Sequence, residues 1–182
     1  MHLLAPAVAQ WRLRHPETVL VLSDHLNDEL MAALNNGELD IGLGLDFGLA
    51  PGVAAAFVAE DELVAVLADT HRLSRRAAVT WQDLKHEPLA VLSRGSTYEM
   101  IVSTLRQQGA DLAATDTLNY TDTLYSLVRA GLRVGLISRL YTQGQRVDGL
   151  AIVPVQRPQM TRRICLMTRA PESQARAAVQ RC

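Results

Sequence analysis

The sequence predicts an α/β fold in which short buried strands alternate with amphipathic helices. Short β-prone apolar runs recur along the chain, for example at 41–45, 89–92 and 134–137. Stretches with helical apolar spacing separate these runs, and Gly or a hydroxyl or amide residue stands at most junctions. This alternation is typical of sheets built largely from parallel strands, with helices packed on their faces.

The first third of the chain supplies two helices and four strands. The predicted elements are a helix over 3–14, a strand over 19–22, a helix starting at Asn27, and strands over 41–45, 53–58 and 63–67. Of these elements, the helix that starts at Asn27 has the clearest start and stop residues. Asn27 is an N-cap residue type, Asp28 and Glu29 complement the positive helix end, and Gly37 is placed to end it.

The rest of the chain repeats a unit of strand, loop and helix. The predicted elements are a short helix over 81–84 begun by Thr80, a strand over 89–92, a helix from Tyr98 toward Gly109 capped by Thr97, a strand over 115–119, a helix capped by Thr121 and ending near Gly131, strands over 134–137, 150–155 and 164–168, and a helix over 172–181. We expect them to form a second α/β block.

Composition narrows the function classes. The 182 residues are 48% apolar and 20% charged, with a formal net charge of −1. That is enough apolar material for one domain or two small lobes. DNA binding through bulk positive charge is excluded, because it needs clustered Lys and Arg. The chain has no apolar run long enough to span a membrane and no export signal pattern, so we expect a cytosolic protein.

No cofactor, metal or catalytic motif emerges from the residue spacing. The glycines of the segment GLGLDFG, Gly42, Gly44 and Gly48, do not fit a dinucleotide-binding loop, and we interpret them as letting a strand end turn tightly. The two cysteines and five histidines lack metal-ligand spacing. No G-x-S-x-G nucleophile motif is present. We therefore predict no enzyme activity and no cofactor.

Hydroxyl and amide residues recur where a strand leads into a helix. They are Asn27, the segment Ser93-Arg94-Gly95-Ser96-Thr97, and the segment 121–123, which includes Thr123. Helix starts expose unpaired N–H groups and a positive dipole, which suit a small anion. Arg94 would add a charge-assisted contact to a carboxylate. Ordinary helix capping explains each residue taken singly, and the sequence leaves both interpretations open.

The segments LLAPAVAQWRLRHP, LMAALNNGELDIGL, ELVAVLADTHRLS, LAVLSRGST and YSLVRAGLRVGLI occur in that order. Together they closely resemble the effector-binding domain of LysR-type transcriptional regulators. The resemblance covers essentially the whole chain. Its most specific parts are the step NNGELDIGL and the step RAGLRVGLI.

The resemblance implies two Rossmann-like lobes with mostly parallel sheets, as in type 2 periplasmic binding proteins, and a small effector bound between them. Lobe I would comprise residues 1–72 and 160–182, and lobe II residues 73–159. The implied effector-binding residues are Asn27, Ser93, Arg94, Gly95, Ser96, Thr97, Thr123 and Ser138. The family often has Pro where Ser138 stands, which is a departure in this chain.

The resemblance also implies a homodimer or homotetramer, in which the first helix of one copy meets a helix of the second lobe in another. The implied interface residues are Leu4, Val8, Trp11, Leu124, Leu127 and Val128. The family's N-terminal winged helix-turn-helix and the first strand of lobe I would precede this chain, so operator DNA would be contacted only through that missing domain.

The sequence therefore predicts the effector-sensing and dimerisation domain of a bacterial transcription regulator, with a small organic effector, expected to be an anion. Two alternatives remain open, a free-standing solute-binding protein and a small α/β enzyme. The identity of the effector is not readable from the sequence.

Overall fold

A computed structural model describes residues 4–93, 95–110, 112–144 and 146–170, without the side chain of Ser96. The five helices of this part are α1 (Leu4–Arg14), α2 (Asn27–Asn36), α3 (Trp81–Leu84), α4 (Ser96–Gln107) and α5 (Thr121–Arg129). The eight strands are β1 (Ile41–Leu45), β2 (Val53–Ala68), β3 (Val79–Thr80), β4 (Leu89–Leu92), β5 (Asp116–Leu118), β6 (Val134–Ser138), β7 (Leu150–Gln156) and β8 (Thr161–Arg169). The helix predicted over 172–181 lies outside the described residues.

The chain divides into two compact units. One comprises Met1–Glu60 and Arg162–Cys182, and the other comprises Asp61–Thr161. The first crossing between units falls within β2, earlier than the boundary near residue 72 that was expected from the sequence. The runs predicted as two strands over 53–58 and 63–67 are one continuous strand.

In the first unit, β8 lies between β1 and β2, and β1 pairs with it antiparallel. Helix α2 packs its apolar face into a core made of Leu30, Met31, Leu34, Cys165 and Met167. As predicted, Gly37 ends α2, with a φ of 73° that a residue with a Cβ adopts only at a cost.

The glycines of β1 have a role other than the tight turn inferred from the sequence. A Cβ atom on Gly42 would lie 2.7 Å from Leu30 Cδ1, and one on Gly44 would lie 2.6 Å from Leu30 Cδ2. Both residues lie inside the strand, where they let α2 approach the backbone. Only Gly48, with a φ of 66°, lies in a turn conformation.

In the second unit, the strand order is β2-β6-β4-β5, with β7 paired to β2 and β3. Strand β4 runs parallel to both β5 and β6, whereas β2 pairs antiparallel with β6 and β7. Successive side chains of a strand point to opposite faces of the sheet. Thus Leu63 and Ala65 belong to one buried cluster, around Trp81, and Val64 and Val66 belong to another.

The strand predicted over 19–22 does not form. Val19, Val21 and Leu22 are exposed, and no described strand pairs with this segment. β-prone residues become a strand only where a neighbour accepts and donates the backbone hydrogen bonds, and this segment has none among the described residues. The prediction relied on side-chain type alone.

Three predicted N-caps are shifted by one or two residues. Leu26, Gly95 and Tyr120 hold the cap positions of α2, α4 and α5, so the predicted caps lie inside the first turns. At α2, the Leu26 side chain makes no cap hydrogen bond, and Glu29 Oε2 accepts from the Leu26 N–H at 3.0 Å. By contrast, Thr80 caps α3 as predicted.

Candidate functional site

A pocket opens at the carboxyl ends of two parallel neighbours in the second unit, β4 and β6. It is lined by Leu92, Thr97, Tyr98, Ile101, Leu136, Ile137, Ser138 and Tyr141. Carboxyl ends of parallel strands are the usual ligand-binding edge of an open α/β sheet. The cavity volume is about 30 Å³.

Among the described residues, Thr97 and Ser138 are the sequence-predicted site residues that line this pocket. They come from separate segments, since Thr97 lies in the first turn of α4 and Ser138 ends β6. Gly95 precedes α4 with a φ of 86° and a ψ of 173°, a conformation that is almost restricted to glycine. Its role is to turn the chain from β4 into the helix.

Ser93 connects the ends of two strands. Its N–H donates to the Leu118 carbonyl at 2.8 Å, and its hydroxyl donates to Asn119 Oδ1 at 2.6 Å. Ser93 is not among the residues that line the pocket. In this structure it holds β4 and β5 together beside the pocket.

Ser138 is almost fully buried and contacts an equally buried carboxylate. Its hydroxyl donates to Asp61 Oδ2, and Asp61 Oδ1 accepts from the Leu140 N–H at 3.1 Å. Asp61 thus connects the end of β6 to the 3-10 turn that follows it, Arg139–Tyr141. The sequence analysis gave Asp61 no role. The only signal was a run of three acidic residues, 60–62, directly before the apolar run 63–68.

The same turn is fixed from a second side by α5. The buried Tyr125 hydroxyl donates to the Tyr141 carbonyl at 2.9 Å, and the Thr142 hydroxyl donates to the Arg139 carbonyl at 2.7 Å. Burial raises the pKa of the Tyr125 phenol, an effect that nearby Arg129 opposes. The phenol is therefore a stable donor over the whole neutral range, and Tyr141 is held against the pocket.

An ion pair lies beside this network. Arg139 Nε is 2.5 Å from Glu62 Oε1, and Gln159 Nε2 donates to Glu62 Oε2 at 3.2 Å. The positive charge of Arg139, which lies in the turn beside the pocket, is thus paired with the carboxylate of Glu62.

Two predicted effector residues within the described part of the chain, Asn27 and Thr123, do not line the pocket. Asn27 lies in the first unit, where its Oδ1 accepts from the Leu45 N–H at 3.0 Å and its Nδ2 donates to the Phe47 carbonyl at 3.1 Å. It ties α2 to the end of β1. Thr123 is exposed on α5. Arg94 lies outside the described residues, as does the side chain of Ser96.

The predicted interface residues differ in exposure. Leu124 and Val128 are fully buried in the core of the second unit, so these two side chains offer no surface to another copy. Leu124 also packs on Gly135, where a Cβ would lie 2.6 Å from Leu124 Cδ2. On α1, by contrast, no residue is buried and Trp11 is 46% exposed.

The described residues contain neither a membrane-spanning helix nor a cluster of metal-binding side chains. None of their helices is long and apolar enough to cross a membrane. Nor do three or more His, Cys, Asp or Glu side chains in this part of the chain converge to hold a metal ion.

Comparison with known proteins identifies the family. The family model described as LysR substrate binding domain matches residues 1–182. A probable nitrogen assimilation transcriptional activator of Synechococcus elongatus is 28% identical over 175 residues, covering 93% of this chain and 56% of that protein. An uncharacterised HTH-type transcriptional regulator of Bacillus subtilis, YvbU, is 27% identical over 162 residues, covering 87% of this chain and 53% of that protein. The chain thus spans about half the length of the curated relatives it matches.

Solved structures show the same fold. The BenM effector-binding domain with its effector benzoate superposes with a TM-score of 0.80 at 21% identity, covering 94% of this chain and 80% of that chain. The reduced form of the OxyR regulatory domain of Pseudomonas aeruginosa superposes with a TM-score of 0.73 at 17% identity, covering 92% of this chain and 83% of that chain. The whole-chain family match and this fold, of the type 2 periplasmic-binding-protein kind, show that the chain belongs to the LysR substrate-binding domain family, the effector-binding part of LysR-type transcriptional regulators.

Proposed function

We propose that this domain senses a small organic acid through the pocket at the carboxyl ends of β4 and β6. The observation that carries the proposal is that Thr97 and Ser138, far apart in sequence, line one small cavity beside the start of α4. The first turn of a helix supplies N–H groups and a positive dipole end for a carboxylate. Gly95 has a backbone conformation that few residues other than glycine adopt, and the 139–141 turn is held by hydrogen bonds. These two features preorganise both sides of the pocket.

Binding would regulate transcription by favouring one arrangement of a longer regulator over another. A ligand shifts such an equilibrium only through different affinities for the two arrangements. Contact with operator DNA would belong to a helix-turn-helix segment outside these 182 residues. The protein would act in the cytoplasm and without enzymatic turnover. The relatives are transcriptional regulators, so a free-standing solute-binding protein or a small enzyme is not favoured.

Homodimer formation through α1 is a further part of the proposal. Its support is the partly exposed stripe of Leu4, Val8 and Trp11 on a helix that has no buried residue. Of the predicted partner residues on α5, only Leu127 keeps exposed surface.

The experiment is a thermal-shift screen of organic acids followed by calorimetry. A ligand that binds only the folded state raises the midpoint of unfolding by mass action. We expect Thr97→Ala to weaken binding of the acids found in the screen about tenfold while leaving the melting temperature of the free protein within a few degrees. Unchanged affinity in this variant would remove Thr97 from the site. A screen in which no acid stabilises the protein would contradict the proposed function itself.

A further inference from the structure

The hydroxyl hydrogen of Ser138 is directed toward the carboxylate of Asp61. Asp61 accepts at both oxygens, Oδ2 from the Ser138 hydroxyl and Oδ1 from the Leu140 N–H. A serine hydroxyl has one hydrogen and two acceptor lone pairs. Because the hydrogen is committed to the carboxylate, only acceptor capacity remains on Ser138 Oγ.

This commitment is stable because both partners are out of water. Asp61 is 3% exposed and Ser138 is 1% exposed. A hydrogen bond to a buried carboxylate is about twice as strong as one between neutral groups. Rotating the hydroxyl hydrogen toward a ligand would leave a carboxylate oxygen without this donor, which is costly in the interior.

We propose that the Asp61–Ser138 pair fixes the hydrogen-bonding polarity of the pocket, so that the acid bound there carries a donor group, a hydroxyl or an ammonium, opposite Ser138. The proposal rests on the proposed function and narrows its ligand class. A keto or carboxylate oxygen at the same place would face the lone pairs of Ser138 Oγ, which cannot donate to it. The sequence feature that permits this device is the Ser at 138, together with Asp61 on the neighbouring strand.

Asp61→Asn is the sharpest test because the Leu140 N–H determines how the new amide is oriented. The Leu140 N–H, which donates to Oδ1 in the wild-type chain, favours the amide oxygen at that position. The amide nitrogen then faces Ser138 Oγ and donates to it, which releases the hydroxyl hydrogen toward the pocket. Ser138 Oγ would then offer a hydrogen-bond donor to the ligand, where in the wild-type chain it offers an acceptor.

The measurement uses sets of carboxylic acids. The members of a set share one carbon skeleton and differ only in the group on one carbon, which is hydrogen, a hydroxyl, an ammonium or a keto oxygen. Dissociation constants are obtained by calorimetry for every set with a member that stabilises the wild-type chain. We expect the hydroxy or amino acid to bind about tenfold more tightly than the keto and unsubstituted acids. In Asp61→Asn we expect the order of hydroxy and keto acids to reverse. Comparison of the hydroxy and amino members within one set identifies the donor.

Ser138→Ala provides an independent arm if Asp61→Asn does not fold. It removes the acceptor without adding a group, so the preference for the hydroxy or amino acid should fall to within about twofold. Two matched controls should keep the wild-type preference. Asp116→Asn removes a carboxylate that is paired with Arg133, at the end of the parallel strands away from the pocket. Ser126→Ala removes a hydroxyl that donates to the Asp122 carbonyl within α5.

The outcomes separate this inference from the proposed function. A wild-type chain that binds keto acids as tightly as hydroxy and amino acids overturns the polarity assignment and leaves acid sensing intact. A folded Asp61→Asn variant with the wild-type order also overturns it. If no acid of any set binds the wild-type chain, the proposed function fails and this inference fails with it.

Discussion

The distance between Leu30 and the backbone of β1 shows how single residues set the packing of the first unit. Gly42 and Gly44 have no side chain, and Leu30 occupies the space where their Cβ atoms would stand. The Asn27 side chain adds two hydrogen bonds between the same helix and the end of the same strand. The glycines thus belong to a packing contact, and no cofactor is needed to explain them.

We predict that Gly44→Ala destabilises the chain by about 1–3 kcal/mol, because the added methyl group overpacks a closed contact. The free energy of unfolding in urea measures the effect. Leu30→Ala supplies the control. In the double variant the two losses should be clearly less than additive, since the smaller side chain makes room for the methyl group. Full additivity would contradict the contact.

A second residue-scale prediction concerns acid stability. The Thr80 N–H and the Thr80 hydroxyl donate to Asp83 Oδ2 at 2.9 and 2.7 Å, and they lower the pKa of this carboxyl from its ordinary value of 3.8. A lowered pKa in the folded state stabilises the protein above pH 3.8, and this contribution disappears as the pH falls below that value. We expect the melting temperature of wild type to fall more steeply between pH 5 and about pH 3 than that of Asp83→Asn. Parallel curves would contradict the assignment.

At the scale of elements, the 139–141 turn is held by three other parts of the chain. Asp61 of β2, Tyr125 of α5 and Thr142 each bond a backbone group of the turn. Sequence reasoning placed β6 and α5 correctly from their apolar periodicity. It missed these bonds because nothing in local sequence indicates which polar side chains tertiary packing brings together.

We predict that Tyr125→Phe destabilises the chain by about 1–2 kcal/mol, because the Tyr141 carbonyl loses its donor in a part-buried site. The loss should also weaken acid binding, since Tyr141 lines the pocket. Chemical denaturation gives the free energy of unfolding, and calorimetry gives the affinity for the acid.

The pH dependence of stability tests the same phenol. The wild-type chain should lose stability above about pH 10, because the phenol ionises first in the unfolded state, and the phenylalanine variant should not show this loss. Equal stability of the two proteins would contradict the bond.

The segment 19–22 shows where sequence-based prediction of elements stops. The alternation that identified Ile41–Leu45 and Leu89–Leu92 is supported by partners in the sheet, whereas Val19 and Val21 are exposed. In the described part of the chain, helix ends were predicted to within two residues, because a cap residue type marks the region and individual hydrogen bonds select the position. At α2 the selecting bond is that from the Leu26 N–H to Glu29.

Hydrogen exchange tests this assignment. Amides of 19–22 should exchange near the rate of an unfolded peptide, while those of β1 and β4 should be protected, because protection needs a stable hydrogen-bonded partner. Val21→Ser should change the free energy of unfolding by less than about 0.5 kcal/mol, as expected for an exposed position. Strong protection at 19–22 would show that the segment pairs with a strand.

At the scale of the whole molecule, the chain forms two compact units, and β2 passes from one to the other. The alternation of strands and helices predicted an α/β fold, and the family resemblance added its type 2 periplasmic-binding-protein form. The expectation of an effector held between two lobes stays a prediction, as do the contributions of Asn27 and Arg94.

The proposed dimer makes a prediction at this scale. Trp11→Glu should shift the chain toward monomer in analytical ultracentrifugation and leave the stability of the monomer unchanged, because the side chain is half exposed and α1 has no buried residue. Leu13→Glu, at a residue that is 84% exposed and outside the Leu4, Val8 and Trp11 stripe, is the matched control and should leave assembly unchanged. A Trp11→Glu chain with wild-type assembly would contradict an interface through this stripe.

The most direct test of the sensing pocket is an NMR titration of the isotope-labelled chain with the tightest acid from the screen. We predict that amide shifts concentrate at Thr97, Tyr98, Ser138 and Tyr141, and that they follow one saturable binding curve. Saturable binding that leaves these four amides unmoved, with the shifts elsewhere in the chain, would contradict the assignment of the pocket.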